Sequence, residues 1–224
     1  MARPTNIFLV RHGESEANAD KSVYGRKPDW RIELTERGFE QASNAGERLS
    51  AILTSIQEAH GPQSLGVYVS PYCRAVQTCD EILGELGNND KLKSVPYFVK
   101  QDPRLRELER GNPSVRDGNA SDYRVTERER HQQGALFYRI DGGESGANVY
   151  DRVISFEETR QRMSERADYP SNIMIVGHSF TMRVHLMALL DLSVESFHHL
   201  RDPQNAEIIH LTDDGSGGYR IVAA

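Results

Sequence analysis

Basic side chains that could bind an anion stand after two short apolar runs of the sequence. Arg11 and His12 directly follow Ile7–Val10, and His178 follows Ile173–Val176 with one glycine between. The planar guanidinium of arginine suits a phosphate or a carboxylate. A histidine supplies a nucleophilic nitrogen or a proton-transfer group near neutral pH. These residue types together predict an anion site that contains a candidate nucleophile.

A third basic residue, Arg74, lies four positions beyond Ser70, which follows the apolar run Leu65–Val69. If Ser70 caps a helix and Pro71 occupies its first position, Arg74 falls in the first turn, where free N–H groups and the helix dipole favour anions. By itself, Arg74 could equally be an ordinary surface residue. Because ligands of open α/β sheets bind at the carboxyl ends of the strands, the three basic positions favour convergence on one anion site.

An acidic segment, Leu105–Gly111, offers a carboxylate for proton transfer, with Glu107 and Glu109 as the two candidates. Acidic loops are more often simply solvated, so this interpretation depends on the three basic positions. Tyr24, in the loop before Thr35, could line the mouth of the site or only pack that loop.

The elements that must position these side chains are strands alternating with helices. Apolar runs without polar alternation indicate strands covered on both faces, as in a mostly parallel sheet. The alternation predicts an α/β fold, a three-layer sandwich with a mostly parallel central sheet and helices on both faces. The predicted strands are Ile7–Val10, Leu65–Val69, Val95–Val99, Ile173–Val176, Ile208–Leu211 and Tyr219–Val222.

Periodic apolar positions and end signals predict four helices in one domain over residues 1–224. A polar insertion at about residues 112–141 has few apolar side chains and is either a lid that selects the substrate or a solvated helical surface. The predicted helices run from the N-cap Thr35 to Gly61-Pro62, from the N-cap Ser70 to Gly87-Asn88-Asn89, through Val149 and Met163 to before Pro170, and onward from just after Ser179.

The composition argues against several classes of protein. The 224 residues carry 27 Lys and Arg against 33 Asp and Glu, a net charge of −6, without a basic block. This balance argues against non-specific nucleic-acid binding and an electrostatic membrane anchor. Mean hydropathy is −0.61, and no stretch approaches the roughly 18 apolar residues of a membrane span. We therefore expect a cytoplasmic protein.

Cys73 and Cys79 point in different directions on one predicted helix, so we expect reduced thiols.

The motifs resemble, in order, those of the histidine phosphatase superfamily, also called phosphoglycerate-mutase-like. The resemblance runs from residue 6 to about residue 183 and is specific for the superfamily, but it says little about the substrate. It rests on Arg11-His12-Gly13, Leu34-Thr35 with Gly38, Ser70-Pro71 before Arg74, Gly142-Gly143-Glu144-Ser145 followed by Val149 and Arg152-Val153, and Gly177-His178.

The resemblance implies a phosphomonoesterase that needs no metal and no other cofactor and that works through a phosphohistidine. His12 would be the nucleophile, with His178 beside it on the phosphoryl group. The acid–base glutamate of the family precedes a glycine by four positions, which selects Glu107, four before Gly111, over Glu109. The residues expected to bind the substrate or its phosphoryl group are Arg11, Asn18, Tyr24, Arg74 and Ser179.

The expected partner is a small phosphomonoester, with no nucleic acid and no membrane. The sequence leaves open whether the protein forms a homodimer.

A phosphoglycerate mutase is the alternative function. Mutases of the superfamily carry Arg-His-Tyr-Gly directly after the acid–base glutamate, whereas this chain has Leu108-Glu109-Arg110-Gly111. The chain also ends at Ala224, directly after its last predicted strand, without the tail that mutases use. Both departures favour hydrolysis. A non-catalytic phosphate-binding module is less favoured, because His12, Arg74 and His178 are all present.

Overall fold

A computed structural model describes residues 4–95, 97–111, 128–130 and 132–222 of the chain. The strands are β1 (Asn6–Arg11), β2 (Leu65–Val69), β3 (Tyr97–Gln101), β4 (Asn172–Gly177), β5 (Ile208–Asp213) and β6 (Tyr219–Ile221). The α-helices are α1 (Glu16–Ala19), α2 (Glu36–His60), α3 (Cys73–Asn88), α4 (Gly146–Met163), α5 (Ser179–Leu189) and α6 (Val194–His199). Short 3₁₀ turns cover Lys21–Gly25, Asp29–Arg31 and Pro103–Leu105.

One six-stranded sheet with the order β3-β2-β4-β1-β5-β6 forms the middle layer. The first four strands of that order pair in parallel, while β5 is antiparallel to β1 and β6 to β5. The register aligns the ends of β1, β2 and β4, since Arg11 lies opposite Gly177 and Val69 opposite Val176. The residues that directly follow these three strands therefore come together at one edge of the sheet. They are His12 after β1, Ser70 after β2 and His178 after β4.

Helices cover both faces of the sheet, so the predicted three-layer α/β fold is confirmed. On one face, α2 and α3 pack through Leu49 and Ile82, in a core that also holds the free thiol of Cys79. On the other face, α4 and α5 pack through Phe156 and Met182. Sixteen described residues are buried in the core on the first face and eleven in the core on the second, and their burial stabilises the fold by the hydrophobic effect.

The strand predictions agree with the structure to within two residues at each end, and β3 shows the main shift. It spans Tyr97–Gln101 rather than Val95–Val99. Val95 instead packs against the core between α2 and α3. The edge strand β3 is mostly exposed, so its limits depend on pairing with β2, Leu65 opposite Tyr97, rather than on an apolar pattern.

The predicted N-cap of the second helix is wrong. The helix α3 begins at Cys73, with Tyr72 as its N-cap. Ser70 does not cap the helix, because its hydroxyl bonds Nε2 of His178 at 2.8 Å and reaches only the N–H of Tyr72, before the first turn, at 3.4 Å. Its backbone N–H donates to the carbonyl of Val176 at 2.9 Å and so prolongs the pairing of β2 with β4. Arg74 nevertheless lies in the first turn of α3, as expected.

Two glycines let the loop after β1 sit against the first turn of α2. A Cβ on Gly13 would lie 2.3 Å from the carbonyl oxygen of Gly38, and a Cβ on Gly38 would lie 2.0 Å from that of Glu14. Since no side chain fits at such distances, glycine is required on both sides of this contact. The contact presses the segment that carries His12 onto the helix α2.

Candidate active site

A cavity of about 470 Å³ opens where β1, β2 and β4 end, and its volume suits a small-molecule ligand. The described lining has six Arg or Lys side chains against two carboxylates, although the whole chain carries a net charge of −6. Seven of the eight predicted site residues line it. The lining consists of Arg11, His12, Ser15, Asn18, Lys21, Tyr24, Arg74, Glu107, Arg110, Arg130, Gly134, Ala135, Ser179, Phe180, Arg183, His198 and Asp202.

The imidazole of His12 is oriented by its neighbour Gly13. Its Nδ1 lies 2.6 Å from the carbonyl oxygen of Gly13. A carbonyl can only accept, so the proton of the ring sits on Nδ1 and the lone pair on Nε2. Burial, together with Arg74 and Arg11, holds the pKa of His12 well below its usual range. The ring is therefore neutral near pH 7, and its Nε2 can act as a nucleophile.

Arg74 reaches His12 from the first turn of α3. Its Nε donates to Nε2 of His12 at 3.3 Å, and its Nη1 pairs with Asp29 at 2.8 Å. The backbone is tied as well, because Thr78 donates to the Arg74 carbonyl at 2.7 Å and accepts from the N–H of Gly13 at 3.0 Å. A phosphoryl oxygen in front of His12 would meet this fixed guanidinium.

Two further donors stand around His12. Arg11 donates from Nη1 to the carbonyl of Pro203 at 2.6 Å, and its buried Nε has no acceptor among the described residues. The Oδ1 of Asn18 accepts from the N–H and the hydroxyl of Ser15 and from the amide of Asn205 at 3.1 Å. The Arg11 Nε and the Asn18 amide nitrogen can therefore donate to an anion.

His178 is wholly buried beside His12 rather than in the cavity lining, with 5.2 Å between the ring centroids. Its Nε2 lies 2.8 Å from the hydroxyl of Ser70, and its buried Nδ1 has no hydrogen-bond partner among the described residues. Burial and the neighbouring Arg74 hold the pKa of His178 well below its usual range. The ring is neutral, and Nδ1 is the ring nitrogen that can still form a hydrogen bond.

The carboxyl of Glu107 lies at the N-terminus of α5 and lines the cavity. Its Oε1 accepts from the N–H of Leu108 at 2.9 Å and the hydroxyl of Thr181 at 3.3 Å, and its Oε2 faces the N–H of Phe180 at 3.4 Å. Glu109 is exposed and does not line the cavity. The geometry thus favours Glu107 for proton transfer.

Tyr24 and Ser179 both line the cavity. Burial and the nearby Asp29 raise the pKa of Tyr24, so it stays a neutral phenol. The hydroxyl of Ser179 donates its only proton to Asp202 at 3.0 Å, so in this arrangement it offers an anion no donor. Trp30, in the same loop as Tyr24, is 51% exposed and stacks against Arg31.

The sequence reasoning missed a wall of the cavity formed by α5 and α6. Arg183 pairs with Asp202 at 3.2 Å and lies 4.7 Å from the ring of Phe197. His198 of α6 also lines this wall. The spacing of Ser179 and Arg183, four residues apart on one helix face, was the available signal. Nothing local in the sequence indicates that α6 reaches the site.

Most of the predicted insertion, residues 112–127 and 131, lies outside the described residues, so the choice between a lid and a solvated surface stays open. Its described end meets the cavity at Arg130, Gly134 and Ala135.

Across the described ranges, no three His, Cys, Asp or Glu side chains come together as a metal site would require. No α-helix in those ranges has the length and apolar character to cross a bilayer.

Known proteins resemble the chain over nearly its whole length. Phosphoglycerate mutase-like protein AT74 of Arabidopsis thaliana is 39% identical over 222 residues, which cover 96% of this chain and 66% of the Arabidopsis protein. This chain thus spans just under two thirds of that relative. The broad-range acid phosphatase DET1 of Saccharomyces cerevisiae is 26% identical over 96% of this chain and 87% of the yeast protein.

A solved structure has the same fold. The mycobacterial glucosyl-3-phosphoglycerate phosphatase superposes with a TM-score of 0.66 and 24% identity over 98% of this chain and 97% of its own. The family model of the histidine phosphatase superfamily (branch 1) matches residues 7–223. This match includes His12, Arg74 and His178, and the chain belongs to the histidine phosphatase superfamily.

Proposed function

We propose that the protein is a phosphomonoesterase that hydrolyses a small phosphorylated metabolite through a phosphohistidine on His12. The observation that carries the proposal is the orientation of His12, whose Nδ1 donates to Gly13 while Nε2 stands beside Arg74 in a cationic cavity. A neutral imidazole with its lone pair toward an anion site is equipped for nucleophilic attack on phosphorus. The phosphatases among the similar proteins support hydrolysis.

In the first half-reaction, Nε2 of His12 forms a bond to phosphorus and the ester P–O bond breaks. The protonated carboxyl of Glu107 gives its proton to the leaving alkoxide. Arg11, Arg74 and His178 bind the equatorial oxygens, where negative charge accumulates in the transition state. The donors are held by the fold before the substrate arrives, so little reorganisation is needed.

In the second half-reaction, water attacks the phosphohistidine from the side that the alcohol has left. The carboxylate of Glu107 takes a proton from this water as the new P–O bond forms and the N–P bond to His12 breaks. Inorganic phosphate leaves, and the neutral histidine and the protonated glutamic acid are restored.

Hydrolysis is expected to exceed phosphoryl transfer between hydroxyls. Between Glu107 and Arg110 the chain carries the buried Leu108 and the exposed Glu109, neither of which lines the cavity. With 3-phosphoglycerate as substrate and its 2,3-bisphosphate as primer, we expect little 2-phosphoglycerate, while a panel of phosphomonoesters should include at least one that releases phosphate. Rapid isomerisation, measured by coupled enolase, would replace this proposal with the mutase function.

Catalysis is proposed to need no metal ion, because Arg11, Arg74 and the helix N-terminus at His178 supply the positive field. Activity is expected to survive dialysis against EDTA. Vanadate, which adopts the geometry of the phosphoryl transition state, should inhibit competitively at His12. If EDTA removes the activity and a divalent ion restores it, the metal-independent mechanism is wrong.

The site of action is proposed to be the cytoplasm, with neither nucleic acid nor membrane as a partner. The described cavity lining is cationic while the whole chain is acidic, which favours a small anion over a polyanion. For the assembly we propose a homodimer through the edge strand β3, where Tyr97 and Val99 are exposed. The insertion at 112–141 is proposed to act as a lid, since its described end lines the cavity.

A further inference from the structure

The largely buried side chain of Arg152 on α4 binds the backbone of the segment that carries Glu107. Its Nη1 donates to the carbonyls of Arg104 at 2.6 Å and Arg106 at 2.9 Å, and its Nη2 donates to the carbonyl of Glu107 at 3.2 Å. The side chain of Arg152 is only 9% exposed. One guanidinium thus binds three backbone carbonyls within the four residues from Arg104 to Glu107.

The remaining donors of Arg152 bind Glu144. Its Nε and Nη2 donate to Oε1 and Oε2 of Glu144, both at 3.1 Å. A guanidinium has five N–H donors in a fixed planar fork, and these contacts account for all five. A lysine has three donors and no such fork, so it cannot reproduce the arrangement.

Glu144 ties the same segment from its own side. Its Oε1 accepts from Nη2 of Arg106 at 2.5 Å, and its Oε2 accepts from the N–H of Glu109 at 3.1 Å. The N–H of Glu144 in turn donates to the carbonyl of Glu109 at 2.9 Å. Glu144 and Arg152 therefore hold the backbone on both sides of Glu107.

These contacts matter because the segment that carries Glu107 has no regular secondary structure of its own. The 3₁₀ turn ends at Leu105, and the chain from Arg106 to Gly111 belongs to no strand or helix. Neither Arg152 nor Glu144 lines the cavity, whereas Glu107 does. A displacement of a reacting group by about 1 Å can cost roughly 10²-fold in rate.

We propose that Arg152 and Glu144 are positioning residues that hold the carboxyl of Glu107 at the N-terminus of α5, within reach of the leaving oxygen. The proposal rests on the phosphatase function and on the proton transfer assigned to Glu107. It extends that function to two side chains that touch neither the substrate nor the reacting atoms.

The test compares Arg152→Lys with wild type on an alkyl phosphate and on p-nitrophenyl phosphate. The alkyl leaving group needs a proton, and nitrophenolate does not. We expect formation of the phosphohistidine to slow about 10- to 100-fold with the alkyl phosphate, while the nitrophenol burst changes little. In a Glu107→Gln background, Arg152→Lys should cause no further loss with the alkyl phosphate, because both changes remove one function.

Arg160→Lys is the matched control, a second buried arginine on α4 whose partner Glu157 lies on the same helix. It should lower Tm but leave the ratio of the two rates unchanged. Glu144→Gln provides a second variant if Arg152→Lys fails to fold, because its NH₂ group would face donors in either orientation, and it should shift the ratio as Arg152→Lys does.

Equal losses on both substrates, or additive losses in the Glu107→Gln background, would overturn the positioning role. A wild-type protein that releases phosphate from no ester would instead overturn the proposed function.

Discussion

Replacement of His12 by alanine is expected to lower phosphate release by about 10⁴-fold or more, as the loss of an enzymic nucleophile does. No other described side chain has a neutral nitrogen oriented toward Arg74 within the cavity. The variant should stay folded, because β1 and its neighbours keep their pairing without the imidazole. Steady-state rates together with circular dichroism would separate lost chemistry from lost structure.

The same variant tests the covalent intermediate. Wild-type protein quenched in alkaline denaturant during turnover of a ³²P-ester should carry label that survives base and is lost in acid, as a phosphohistidine does. Cys73→Ala, a matched change in the first turn of α3, should retain that label. Label that persists in His12→Ala, or that maps to Ser15 or Cys73, would contradict the mechanism.

Glu107→Gln is expected to produce a loss that depends on the leaving group. The amide keeps the size of the side chain but cannot transfer a proton. With an alkyl phosphate we expect a loss of roughly 10²–10⁴-fold, the usual contribution of general acid–base catalysis. With p-nitrophenyl phosphate the first half-reaction should change much less, and a burst of nitrophenol should precede a slowed steady state.

Glu109→Gln is the control for this experiment. Glu109 is two residues away in the same segment, but it is exposed and does not line the cavity. Its substitution should change the rate with either substrate by no more than about 2-fold, since surface substitutions away from a site are usually near neutral. If Glu109→Gln rather than Glu107→Gln shows the dependence on the leaving group, Glu109 is the proton donor.

The two buried histidines of the site are neutral, and its two arginines carry the positive charge. Burial beside Arg74 and Arg11 keeps the pKa of His12 well below its usual range, so the proposed nucleophile is already deprotonated. The arginines carry the positive charge, because a guanidinium does not lose its proton in proteins. The site can thus attract a phosphate dianion without protonating the nitrogen that must attack it.

Local patterns in the sequence were enough to predict the strands, most helix limits and the basic residues at three strand ends. Apolar runs such as Ile7–Val10 are decided by side chains within a few residues of one another, and the carboxyl ends of parallel strands meet in any such sheet. The prediction of Ser70 as N-cap failed for a non-local reason, since its hydroxyl bonds Nε2 of His178, which follows β4. The limits of β3 failed likewise, because pairing with β2 sets them.

Only the tertiary structure decided which distant side chains complete the site. Glu107 meets the N-terminus of α5 more than 70 residues away, Arg183 and His198 form the far wall, and Arg152 of α4 donates to the carbonyl of Glu107. Apart from the spacing of Ser179 and Arg183, no sequence pattern encodes these contacts, because the segment from Arg106 to Gly111 is irregular and side chains from other elements hold it. The sequence by itself therefore determined the fold and the proposed nucleophile with its candidate phosphate donors, while the packing of α4, α5 and α6 decided where the carboxyl of Glu107 lies and the shape of the cavity.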